Sequence, residues 1–78
     1  MEERVLSVID EINEEIRYYD GDNLFVAGLL DSFLAIDLVS ALEEEFDIEI
    51  DAKYVVEENF MTKERIIALI KKIVEQNE

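Results

Sequence analysis

Asp31-Ser32 lies in the run Gly28-Leu29-Leu30-Asp31-Ser32-Phe33, where a turn-forming loop passes into an amphipathic helix. The pair sets a nucleophile-type hydroxyl at a helix start, where unpaired backbone N–H groups and the positive end of the helix dipole converge. Such a place is a favourable seat for a phosphoester. Catalytic use of the serine would need an activating base, and the chain contains no histidine and no cysteine. Ser32 therefore reads as a residue to be modified. The competing reading is plain capping by Ser32 or Asp31, since both side chains accept hydrogen bonds from first-turn N–H groups.

Other clusters carry less chemistry. Asp20, Asp22 and Asn23 beside Gly21 resemble part of a calcium loop, yet the alternating ligands and the distal bidentate glutamate are missing, so an ordinary turn is expected. Glu43-Glu44-Glu45 and Glu57-Glu58 could pair carboxylates for acid–base work, but adjacent helical positions point in different directions. They read as solvated faces.

Asp plus Glu number 21 against 7 Lys plus Arg, a net charge of −14. That charge repels nucleic acid and anionic membranes, so partners should present basic surfaces. It should also weaken the fold near neutral pH and make salt stabilising. The longest apolar run, Leu24 to Leu30, falls far short of the about 20 residues that span a bilayer, and Met1-Glu2-Glu3 lacks a signal peptide's basic region. A cytoplasmic monomer is expected. Without cysteine, any thiol in its chemistry must be added. The 78 residues suffice for one domain, 1–78, with no internal repeat.

The elements that must position Ser32 follow from periodicity. Val5, Val8, Ile9, Ile12, Ile16 and Tyr19 share one arc of a helix near residues 2 to 18. Asp20-Gly21-Asp22-Asn23 opens a long connection whose Leu24, Phe25, Leu29 and Leu30 should tuck onto the bundle. A second helix runs from about Ser32 to Phe46, with Ala35, Leu38, Val39, Leu42 and Phe46 facing inward. Phe33, Asp37, Ser40 and Glu44 lie opposite, and Ile36 and Glu43 lie on a flank, as expected of a docking face. Asp47-Ile48-Glu49-Ile50-Asp51 alternates like a strand but has nothing to pair with, so it reads as a loop. Ala52 to Glu58 suits a short third helix, with Phe60 and Met61 anchoring the turn after it. Thr62 suits the N-cap of a last helix whose core stripe is Ile66, Leu69, Ile70 and Ile73. The fold class is all-α, a small bundle of three main helices and one short one.

Asp31-Ser32-Phe33, followed by Ile36-Asp37-Leu38-Val39 and Ala41-Leu42-Glu43-Glu44-Glu45-Phe46 within this order of elements, resembles the attachment site and second helix of acyl carrier proteins. The resemblance spans about the whole chain. It implies that Ser32 receives 4′-phosphopantetheine from coenzyme A through a separate phosphopantetheinyl transferase. An acyl or aminoacyl cargo would then ride as a thioester on the added thiol, and the carrier itself would catalyse nothing. It implies recognition by Asp31, Phe33, Ile36, Asp37, Glu43 and Glu44, to which the helical wheel adds Ser40. Partner enzymes that load or transfer cargo would meet these residues with basic docking patches.

Two positions depart from fatty-acid carriers: Leu34 replaces an acid two residues after the serine, and Phe33 replaces a leucine. Glu58-Asn59-Phe60-Met61-Thr62, Asp31-Ser32-Phe33 and the spacing between the second and fourth helices look more like D-alanyl carrier proteins and discrete carriers of specialised pathways. The alternative from another class is an unmodified acidic helical adaptor that uses the outer face of the second helix.

Overall fold

A computed structural model describes residues 1–76. Four α-helices follow one another: α1 Glu2–Asn13, α2 Ser32–Phe46, α3 Glu57–Phe60 and α4 Lys63–Gln76. Three long helices and one short helix pack as the apolar periodicity requires. Val5, Ile9, Leu38, Leu42, Ile66 and Ile70, from α1, α2 and α4, are all fully buried in one core. Loop residues Leu24 and Leu30 enter the same core, as does Phe60.

The first helix covers residues 2 to 18 but is not one continuous α-helix: a 3₁₀ helix, Glu14–Tyr18, follows α1. Asn13 is the reason. Its backbone is extended, its side chain accepts the Glu15 N–H, and its amide donates to Leu29 O at 3.1 Å across the molecule. The 3₁₀ helix then ends against α4, where Lys63 Nζ donates to the carbonyls of Arg17 and Tyr19 at 2.7 and 3.2 Å. A Cβ at Gly21 would collide with the Tyr19 ring, so any other residue in this turn would displace that side chain.

The predicted third helix over Ala52 to Glu58 is divided. Asp51 caps a 3₁₀ turn, Ala52–Tyr54, by accepting the Lys53 N–H, and Val56 then becomes extended before α3 begins at Glu57. β-branched Val55 and Val56 sit at the junction, consistent with their cost in a helix interior. Phe60, expected to anchor a turn beyond the helix, instead closes α3 with its ring in the core. Thr62 caps α4 as its type predicts, its Oγ1 accepting the Arg65 N–H at 3.1 Å. Residues 47–51 pair with no strand among the described residues. Asp47 takes a left-handed conformation (φ 53°) and turns the chain out of α2.

α2 spans Ser32–Phe46, the range its wheel predicts. Ala35, Leu38 and Leu42 are buried, Val39 and Phe46 pack half-buried against them, and Phe33 and Ile36 are 83% and 59% exposed. The orientation yields a contrast. Leu42→Ala should cost about 2–5 kcal/mol through a cavity, whereas Ile36→Ala should stay within about 0.5–1 kcal/mol of the parent in urea melts. Equal losses would mean that α2 is rotated.

Crowded acids weaken a fold near neutral pH, and Glu3 acts the other way. Arg17 donates to its carboxylate at 2.9 Å while also holding Asp10 at 2.8 Å. The hydrogen bond, and then the charge, of Arg17 hold Glu3 below its ordinary value of 4.5. A depressed acid stabilises above its unfolded pKa and loses that contribution as pH falls through the folded one. Glu3 should therefore titrate below 4.5 by NMR and return to the ordinary range in Arg17→Ala. The melting-temperature advantage of the parent over Glu3→Gln should shrink as pH falls below that range.

Candidate functional site

Asp31 and Ser32 divide the work at the start of α2. Asp31 has extended backbone and is the N-cap: its Oδ1 accepts the Leu34 N–H at 2.9 Å, and its carbonyl accepts the Ala35 N–H at 2.8 Å. Ser32 is thus the first helical residue and not the cap. Among the described residues its hydroxyl makes no hydrogen bond, and the N–H groups of Ser32 and Phe33 find no acceptor. The capping alternative therefore accounts for Asp31 and leaves Ser32 exposed without a structural task.

The loop delivering Ser32 is held at both ends. Leu24 is fully buried, its N–H donates to Met61 O at 2.7 Å, and its carbonyl accepts the N–H groups of Leu29 and Leu30 at 3.0 and 3.3 Å. Gly28 bends the chain at φ +78°, in the left-handed region that favours glycine. Leu30 returns to the core, and the next two residues are the cap and the serine.

Beside Ser32 runs a groove of about 300 Å³, walled by Phe25 from the loop, Ala35 and Ile36 from α2, and Val55, Val56 and Phe60 beyond it. Glu57 is its one charged wall residue, tied to the loop by Asn23 Nδ2 at 2.9 Å. A free hydroxyl, two free N–H donors and an adjoining apolar groove fit a phosphoester carrying a long, partly apolar arm. A larger concavity, about 390 Å³ between Tyr54, Arg65 and Lys72, contains no serine.

Of the predicted recognition residues, Phe33, Ile36, Asp37, Ser40 and Glu44 are exposed along α2. Glu43 departs from them. It is half-buried, and its Oε2 accepts the Ile50 N–H at 2.8 Å, so it holds the loop after α2. Val26, Val55 and Val56 are exposed near the groove although no helical periodicity marks them. Their signal is only that apolar residues stand beside turns.

Among the described residues no helix is long and apolar enough to cross a membrane. The family described as a phosphopantetheine attachment site matches residues 3–60. The D-alanyl carrier protein of Lactococcus lactis subsp. cremoris is 32% identical over 79 residues, covering 99% of this chain and 100% of its own. That of Streptococcus mutans is 34% identical over 64 residues, or 81% of each chain. That of Streptococcus suis is 30% identical over 69 residues, or 87% of each. No solved structure matches significantly. In a helical bundle with a free serine at the start of its second helix, these matches have one meaning: the chain belongs to the phosphopantetheine-attachment family of acyl carrier proteins, which hold cargo as a thioester on 4′-phosphopantetheine.

Proposed function

We propose that Ser32 is the attachment residue, that residues 1–78 act as one monomeric cytoplasmic carrier domain, and that the cargo is D-alanyl. The observation that carries Ser32 is its unengaged hydroxyl at the first position of α2, with Asp31 already supplying the cap. The cargo is supported by the D-alanyl carrier relatives and by the likeness of Asp31-Ser32-Phe33 to that group.

In the attachment step Ser32 Oγ forms a bond to the pantetheine-side phosphorus of coenzyme A. The phosphoanhydride bond to the nucleotide half breaks, and the hydroxyl proton passes to a base of the transferase. The chain has no histidine or cysteine for this purpose, so catalysis belongs to the partner. The N–H groups of Ser32 and Phe33 would face the phosphate oxygens, and the groove walls would take the arm's apolar parts. The group supplies the thiol that the chain lacks, and tethering raises the effective concentration of cargo at a docked enzyme.

Docking divides into two contributions. Asp37 and Glu44 guide encounter with basic partner surfaces, and Phe33 and Ile36 supply apolar contact once the complex forms. Ser40 lies between the acids, while Asp31 and Glu43 act first as structural acceptors.

Incubation with coenzyme A and a broad-specificity phosphopantetheinyl transferase should add one phosphopantetheine by intact mass. Ser32→Ala should abolish the gain with helical circular dichroism unchanged, while Ser7→Ala and Ser40→Ala should keep it. A Ser32→Ala protein that gains the full mass would overturn the assignment, and an unmodified parent would favour the adaptor reading. The loaded protein should then gain a D-alanyl group from a D-alanine-activating ligase with ATP. In stopped-flow binding to the transferase, charge reversal of Asp37 and Glu44 should slow association and flatten its salt dependence. Ile36→Ala should act on dissociation, by about 1–2 kcal/mol.

A further inference from the structure

Seven large apolar residues are exposed among those described, and five of them, Val26, Phe33, Ile36, Val55 and Val56, lie next to Ser32, in its groove or on the loop that forms a groove wall. Two belong to α2. The other three come from two further segments, Val26 from the loop and Val55-Val56 from the stretch before α3, so the apolar surface crosses the groove.

Val26 is the least expected of them, at 83% exposed. It sits in a turn fixed by its own hydrogen bonds. Asn23 Oδ1 accepts the N–H groups of Phe25 and Val26 at 2.9 and 3.3 Å, and Asn23 O accepts the Ala27 N–H at 3.1 Å. Buried Leu24 anchors the turn, and Asn23 Nδ2 ties it to Glu57 on the opposite wall. The turn already places Leu24 and Phe25 inward, so folding gives no reason for a valine held outward at a set position. Exposed acids accompany this apolar surface, Asp31 and Asp37 on α2's side and Glu57 in the opposite wall. Its complement is an apolar face bordered by basic residues.

Enzymes that visit a carrier differ in how near they must come. Those that act on cargo work at the far end of a flexible arm, whereas the transferase forms a bond to Ser32 Oγ itself and has no tether to use. Resting on the assignment of Ser32, we infer that Val26 and Val56 form, with Phe33, the close-approach surface for the phosphopantetheinyl transferase, which straddles the groove. α2 alone is half of that interface.

The test is steady-state phosphopantetheinylation of the full chain by the transferase with coenzyme A. Val26→Asp should lower kcat/KM about tenfold, mainly through KM, as expected for loss of an apolar interface anchor. Val56→Asp should do the same, Val26→Leu should restore the parent value, and Ala68→Asp should leave it unchanged, because it adds the same charge beside the other concavity. Circular dichroism and melting temperature should not move. Val26→Ser repeats the test without a charge should the aspartate variant unfold. A Val26→Asp or Val26→Ser protein modified as fast as the parent, or an Ala68→Asp loss of equal size, would overturn the inference. Neither result touches the assignment of Ser32, which fails only if the parent gains no mass or Ser32→Ala still does.

Discussion

The backbone of the loop between the 3₁₀ helix and α2 must find partners while crossing the end of the bundle, and Leu24 satisfies that constraint. Its side chain is buried, its N–H meets Met61 O, and its carbonyl takes two N–H groups from the far side of the turn. Buried polar backbone left unpaired would cost about as much as a lost hydrogen bond, so this pattern decides where the chain can re-enter the core. Leu30 marks that point, which places Asp31 at the cap and Ser32 at the first helical position. A shift of one residue would give the serine the capping bond and engage the hydroxyl. The free oxygen at Ser32 thus depends on contacts made several residues earlier, between the loop and the junction of α3 and α4.

Much of this was legible in the residues. α2 begins where Asp31 caps it and runs as far as its apolar spacing lasts, and Thr62 announces α4 because capping is a local interaction between a side chain and the next three residues. What escaped depends on partners distant in sequence. The break at Asn13 requires Leu29 O, sixteen residues on, and periodicity runs through the position as if the helix continued. The division of 52–60 follows from Asp51 and the two valines, but whether Phe60 turns inward depends on the hollow left by the loop and α4. The wheel puts Glu43 on the flank of α2 beside Ile36, and only the return of Ile50 past it makes it an internal acceptor.

The candidate site divides in the same way. Ser32 and the outward acids of α2 are readable because one motif and one helix contain them. The opposite wall of the groove is not, since Phe25, Val55 and Val56 are brought beside Ser32 by the loop anchor and by the Asn23–Glu57 bond. A wheel drawn on α2 places its apolar pair correctly and still describes only one side.

A carrier must meet several enzymes and leave each of them, which limits what its surface can be. Charge suits the first need: carboxylates on a carrier's surface act across a distance of about 10 Å at moderate salt, raise encounter rates and add little to lifetime once screened. Apolar contact governs the second, because most differences in affinity appear in dissociation. Here the strongly exposed apolar area consists of a few side chains spread along the two sides of a groove, with Glu57 in one wall. A continuous patch would bind longer and would also favour self-association, which −14 charges oppose. Exposed Phe33 and Val26, which folding alone leaves unexplained, are what the proposed docking at Ser32 would use, and their small separate areas suit brief contact over lasting contact.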